Sequence, residues 1–475
     1  PEMLNATVLI RMLLYKIYKI HFQYILYKYN NLGTLADNHI ILLIIVMLPS
    51  TLFAKKGGYV DFIEYKLNNG LHIILYKDIN EPNVVVGTKY HVGAKNEEAD
   101  RTGFAHFGEH LFFHGTKNIP QGEFENIIMK AGGYCNAYIN YDVTYYYQLL
   151  PAHEFKLGLW AESERMLHPI ITQEGIGRER EIVKEEKRMR YDNKPLGNAY
   201  YDMMGAMFTY ETYGHNMIGS MDDLDAASLN DFQSFFKTYY VPNNACLVVA
   251  GNIDIEETKK WIEFYFSDIP RGKEIKRPKN FGGPSGKEKI VEKTEKGLDK
   301  TAVAFCYYAM PETSDDAYVM NVLAAILSGS KDYSYFENAV LVEKDTIINH
   351  VKATAELWEK VGVLRIIGKI EGENNEMHLQ KKVEEQLERL KNEPVDKVLL
   401  QKVLNSFEAG YTDFYFHAES LADEITRYHH LWGNANEFNG VINKYLNITP
   451  EDIQRVANKY LNIDNRVTII YHPEK

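Results

Sequence analysis

The run TGFAHFGEHLFFHGT, Thr102 to Thr116, holds His106, Glu109 and His110 in the pattern HxxEH. The pattern predicts a helix from Thr102 to His114. Residues four apart on an α-helix stand on one face, about one turn from each other, so the imidazoles of His106 and His110 can reach the same metal ion. Glu109, between them, is placed to set its carboxylate against a water in an open coordination position, where a general base belongs. The competing reading is a core helix with two hydrogen-bonded histidines and a surface glutamate. The metal reading is favoured because a chain with 16 histidines seldom forms HxxEH by chance.

A catalytic zinc ion takes three protein ligands and keeps a fourth position for water or substrate. The third is sought in GREREIVKEE, Gly177 to Glu186, a charged stretch expected to be helical. Seven residues fall about 20° short of two full turns, so Glu179 and Glu186 share a face and Glu185 is rotated off it. Glu186 is therefore assigned as the third ligand, and Glu179 as a carboxylate that orients or tunes the site. A solvated face of mixed charge is the alternative for such a helix. His114, one turn beyond His110, is a rival ligand, but Gly115 beside it marks a helix end and favours capping or packing.

These residues resemble the inverzincin metallopeptidases, the group of pitrilysin, insulin-degrading enzyme and the mitochondrial processing peptidase. The family pattern falls on His106, Glu109, His110, Glu179 and Glu186. GGYCNAYINYDVTYYY, Gly132 to Tyr147, resembles the family's GGxxNAxTxxDxT strand segment, with Ile139 at the threonine position. YYVPNNACLVVAGNI, Tyr239 to Ile253, resembles the strand that closes its first domain, and the likeness runs from about Val60 to the C-terminus. The resemblance implies a zinc endopeptidase acting on peptides or short unfolded polypeptides, of the bacterial two-domain type. It also implies that Asn136 and Ala137 lie on an edge strand that holds an extended peptide by backbone hydrogen bonds. A non-catalytic core subunit and a leader-processing peptidase are the alternatives within the family; an intact HxxEH set speaks against the former.

The length of 475 residues allows two to four domains, and 45% hydrophobic with 25% charged residues is ordinary globular composition. A net charge of -12 without a long basic stripe argues against nucleic-acid binding. Cys135, Cys246 and Cys306 are far apart and odd in number, with no CxxC pair, so each is expected to be a buried small residue. The segment 1–54 reads as a leader: Ile40 to Leu48 is an apolar run followed by Pro49, Ser50 and Ala54, too short for a membrane span and suited to export, with a mature start near Lys55.

From Val60 the pattern mixes strands and helices: Val60 to Lys66 and Leu71 to Tyr76 around Asn69-Gly70, Val84 to Val92, a helix from Gly122 to Ala131, strands within Tyr134 to Leu150, and a helix from Glu154 to Leu167. Lys273 to Gly297 is rich in Lys, Pro and Gly and reads as a linker. Beyond it the first half repeats: Asp231 with Asp452, Tyr239 with Tyr460 and Asn244 with Asn465 are each 221 residues apart. Thr301 to Pro311 then matches the strand at Val84, and Tyr318 to Leu327 takes the place of the HxxEH helix without its motif. The expected fold is α+β: two homologous sandwich domains, 55–272 with the metal site and 298–475 without, each a mainly antiparallel sheet packed with helices, the second forming a chamber wall.

The family resemblance carries one departure. Active members have, in the second domain, an arginine and a tyrosine within a segment like LRxxxGLxYxV; the matching stretch LVEKDTIINHV, Leu341 to Val351, places Val342 and Asn349 there. Neither replaces a guanidinium or a phenol. This predicts a heterodimer in which a related subunit supplies the pair, unless Arg365, His350 or Tyr335 takes the role.

Overall fold

The computed structural model describes residues 59–328, 334–337, 345–372, 375–414 and 417–474. The expected leader and its cleavage region, 1–54, lie outside the described residues. Strands β1 (Ile63–Lys66) and β2 (His72–Lys77) form the hairpin expected around Asn69-Gly70. Gly70 is required there: its φ is 97°, and a Cβ would sit 2.7 Å from that of Asn243. With β3 (Asn83–Tyr90), β4 (Tyr134–Ile139), β5 (Thr144–Pro151) and β6 (Ala245–Gly251) they build a six-stranded sheet ordered β1-β2-β6-β3-β5-β4. The second half builds a five-stranded sheet, β7-β11-β8-β10-β9, from β7 (Lys289–Glu295), β8 (Ala302–Ala309), β9 (Ile348–Leu357), β10 (Gly362–Ile370) and β11 (Arg466–Pro473).

Without β1 the two orders superpose strand for strand, and each sheet has one parallel pair, β2 with β6 and β7 with β11, among antiparallel neighbours. The duplication persists down to single hydrogen bonds. Ser228 and Asp231 make a capping box at the start of Leu229–Tyr239, as Thr449 and Asp452 do for Pro450–Tyr460. Past those helices Asn244 Nδ2 donates to the Tyr239 carbonyl at 2.8 Å, and Asn465 Nδ2 to that of Tyr460 at 2.7 Å. The expected linker needs correction, because β7 forms inside 273–297. Its sequence, KIVEKTE, is a mostly exposed edge strand with little apolar content, recruited by pairing with β11, so no periodicity announces it.

Alternation along the strands sends Ile73 and Leu75 to one face of the first sheet and Ile74 to the other. The first face packs under helices of its own half, and the second joins one large core with Val303, Phe305 and Tyr307 of the second sheet. Each half also lends a helix to the other's sheet: Ala418–Trp432 lies on β3 and β6, and Ala199–Met207 lies on β11. Buried charges at the seam are paired, as burial demands. Lys95 Nζ meets Asp142 at 2.6 Å and also Glu359, His91 lies 2.8 Å from Glu359, and the Glu359 amide donates to Asp142 at 2.8 Å. Among the described residues no helix is long and apolar enough to cross a membrane.

Candidate metal centre

The HxxEH helix, α1, runs Phe104–Leu111, shorter than expected at both ends. Gly103 is left-handed at φ 88°, and a Cβ there would meet the Ile218 carbonyl at 2.6 Å, so the helix begins after it. Thr102 instead donates its hydroxyl to Asp223. At the other end Phe112 is the C-cap and His114 stands beyond the helix. Glu97 satisfies the N-terminus: its carboxylate accepts from the amides of Gly103 at 2.8 Å and Ala105 at 2.7 Å, where a negative charge also complements the helix dipole. His215 in turn pairs with Glu97 at 3.0 Å, its other nitrogen 2.7 Å from the Tyr210 carbonyl.

Phe104, Phe107 and Leu111 bury one side of α1 against Ile176 and Val183 of the helix Gln173–Lys187, here α2, and against Phe232. Ile176 and Val183 lie seven residues apart on α2, and Glu179 and Glu186, interleaved with them, therefore face α1 as well. Thr172 caps α2 by accepting from the Gly175 amide at 3.0 Å. Glu185 points away, exposed and paired with Arg188 at 3.0 Å.

His106, His110 and Glu186 each bring one ligand atom to within 4.8 Å of the others. Glu186 Oε2 lies 3.6 Å from His106 Nε2 and 3.5 Å from His110 Nε2. Tetrahedral zinc bonds of about 2.0–2.2 Å set neighbouring donors about 3.3–3.6 Å apart, so both Glu186 separations fit a zinc ion, and the two imidazole donors lie within 4.8 Å of each other. Glu179 Oε2 sits 3.2 Å from His110 Nδ1, which fixes the proton there and frees Nε2 toward the metal position. The other Glu179 oxygen accepts from His114 Nε2 at 2.7 Å. His114 is thus a partner of Glu179 and stands outside the group formed by His106, His110 and Glu186. Glu186 is steadied by Arg190 at 2.8 Å, from a π-helical turn, Arg188–Asp192, that continues α2. His106 Nδ1 is buried and has no hydrogen-bond partner.

The electrostatics follow from this crowding. Burial and the adjacent His110 hold the His106 imidazole down to about 4, the neutral form a metal needs. Burial, with His110 opposing and Glu186 reinforcing, pushes the Glu109 carboxyl up to about 7, the range of an effective general base. For His110, burial is outweighed by hydrogen bonds to Glu179 and Glu186, which raise it to about 9 in the metal-free arrangement. Burial likewise opposes the charge on Glu179, but bonds from His110 and His114 hold it down to about 2. Glu109, His110, His114, Glu125, Arg178 and Glu179 line a cleft of 450 Å³ beside the group.

Asn136 and Ala137 stand on β4, the edge strand of the first sheet, with α1 packed beside it. Asn136 Oδ1 accepts from the Ala137 amide at 2.8 Å, so a peptide added at this edge would compete with that side chain. In the second half, Val342 lies outside the described residues, and Asn349 is exposed on β9, bonded to Glu371 at 3.0 Å. Of the rivals, Arg365 pairs with Glu356 at 3.2 Å and Tyr335 is buried under the Arg389 guanidinium. Sequence reasoning did not find Glu97, His215 or Arg190. Glu97 precedes a helix start, a weak signal, but His215 arrives from a distant loop and no spacing points to it.

The stretch 72–219 matches the sequence model described as insulinase, peptidase family M16, and 226–407 matches that of the peptidase M16 inactive domain. The chain is 27% identical over 418 residues to the zinc protease PqqE of Helicobacter pylori, covering 86% of this chain and 92% of that protein. It is also 27% identical over 234 residues to the mitochondrial-processing peptidase subunit beta of Blastocladiella emersonii, covering 49% of this chain and 48% of that one. Among solved structures, a protease from Helicobacter pylori shares the fold, with a TM-score of 0.81 at 24% identity, over 88% of this chain and all of that one. With the two models matched one after the other over most of the chain, it belongs to the insulinase family of peptidases, M16.

Proposed function

We propose that the chain is a zinc-dependent endopeptidase of peptides or short unfolded polypeptides, and the catalytic subunit of a two-chain enzyme. The observation that carries the reading is the convergence of His106, His110 and Glu186 beside Glu109, with His110 oriented by Glu179. The name zinc protease borne by the Helicobacter relative agrees with it. The two imidazoles and the Glu186 carboxylate would hold Zn2+, whose chemistry when bound would be to acidify a water and polarise the scissile carbonyl. Glu109 takes the proton of the attacking water and hands it to the leaving amine, a role suited to a carboxyl near 7. Glu179 holds the His110 tautomer through the cycle, and β4 offers its edge to the extended peptide. Mass spectrometry of products from a peptide library, with and without a zinc chelator, tests the activity; internal cleavages lost on chelation are expected, and no cleavage by any zinc-loaded preparation would refute it.

The partner is a related subunit lacking HxxEH that brings the arginine and tyrosine. Asn349, exposed and tied to Glu371, supplies neither group. One oxyanion donor is worth on the order of a hundredfold in rate, so the lone chain should bind zinc yet cleave poorly. Co-expression with such a subunit should restore turnover, and full activity of the isolated chain would refute the heterodimer. The apolar run Ile40 to Leu48 supports export to a periplasmic or membrane-associated location. N-terminal sequencing should find a start near Lys55, whereas an intact chain retained in the cytoplasm would refute it.

A further inference from the structure

A second set of metal-ligating side chains lies at the seam of the two halves. His72 and Cys246 are direct register partners in the parallel pair of β2 and β6, so their side chains leave the sheet side by side. His429, on the helix Ala418–Trp432 that the second half lays across this sheet, stacks its ring on His72 with centroids 3.7 Å apart and 16° between planes. One ligand atom from each of His72, Cys246 and His429 lies within 4.8 Å of the other two.

The hydrogen bonds around them leave donors uncommitted. Glu64 Oε2 lies 2.8 Å from His72 Nε2; with the proton held there, Nδ1 is left with its lone pair, the carboxylate–histidine arrangement that commonly backs a metal ligand. The neighbouring histidines are occupied, His430 by the Lys89 carbonyl at 2.9 Å and His91 by Glu359 at 2.8 Å. The His429 ring and the fully buried Cys246 thiol make no hydrogen bond to any other described residue. Two stacked imidazoles against a buried thiol form a donor set with nothing to bind it together, and a cation supplies what is missing. No local spacing announces the group, because His72 and Cys246 lie 174 positions apart and Cys246 and His429 lie 183 apart.

We propose that His72, Cys246 and His429 form a second metal site, for a thiophilic divalent cation of the Zn2+ class, that staples the first sheet to the helix of the second half. One thiolate with two imidazoles is a borderline-soft set that suits Zn2+, and the histidines, buried only in part, leave a fourth position to water. Binding replaces the thiol proton by the metal and releases that proton to solvent. Two ligands come from one half and the third from the other, so the ion ties the two across their seam.

The test uses the full chain and Co2+ as probe, with zinc content by mass spectrometry beside it. The wild type should hold two equivalents of zinc, and Cys246→Ser and His429→Gln one each. His106→Ala/His110→Ala, which disables the first site, should keep one. Co2+-loaded wild type and the double variant should show the near-ultraviolet thiolate-to-cobalt absorption, and Cys246→Ser should lose it. A wild type that holds one equivalent and shows no such absorption would overturn the proposal, and this reading needs no variant to fold.

Discussion

Glu179→Gln isolates the carboxylate proposed to orient His110 from the proposed ligands themselves. The amide keeps the volume but has one oxygen, and it cannot accept from both His110 Nδ1 at 3.2 Å and His114 Nε2 at 2.7 Å. His114 cannot simply switch tautomer to compensate, because its Nδ1 faces Arg178 Nη2 at 3.5 Å, itself a donor. Loss of such a support typically weakens a metal site about 10- to 100-fold. The contact with His110 is the longer of the two, which places the glutamine variant near the lower end, about tenfold or about 1.4 kcal/mol. Glu179→Ala removes both bonds and should approach the upper end. Zinc affinity measured by competition with a chromophoric chelator reads this directly, and kcat per bound zinc should fall less than affinity does. If both variants bind zinc as the wild type does, Glu179 does not orient His110.

Glu109→Gln should retain zinc and lose turnover by about 10²- to 10⁴-fold, as expected for a general base; loss of the metal instead would make it a ligand. Glu186→Gln should weaken zinc binding while Glu185→Gln leaves it unchanged, and the reverse result would move the third ligand by one residue. Glu97→Ala strands the Gly103 and Ala105 amides and the buried His215, and should cost about 3–5 kcal/mol in denaturant unfolding. Hydrogen bonding to His91 and the charge of Lys95 overcome burial and hold the Glu359 carboxyl far below the carboxylate range. A depressed folded value adds stability above the unfolded pKa of about 4.3 that is lost as pH falls toward the folded one. Thermal unfolding from pH 6 to pH 3 should therefore show an acid-side decline that Glu359→Gln flattens, and an unchanged slope would refute the assignment.

What the sequence determined by itself was local or repeated. HxxEH places two imidazoles and a carboxylate by helical period alone, and the spacing of Glu179 and Glu186 on one helix sets their common face, so that site was legible before any contact was known. The duplication was legible because the capping boxes at Ser228 and Thr449, and the asparagines that follow them, are short-range devices repeated at one offset. Tertiary structure alone decided the rest. The edge strand Lys289–Glu295 exists because β11 pairs with it and not because its residues favour it. His114 turns to Glu179 because the chain leaves α1 early, and His215 reaches Glu97 from a remote loop. Asp142, in the motif that resembles a family strand, serves the seam through Lys95 and the Glu359 amide. His72, Cys246 and His429 meet because sheet register and a helix lent across the seam bring them together. Helical and strand periods are written in neighbouring residues, whereas pairings between distant segments are chosen by the packing of the whole chain.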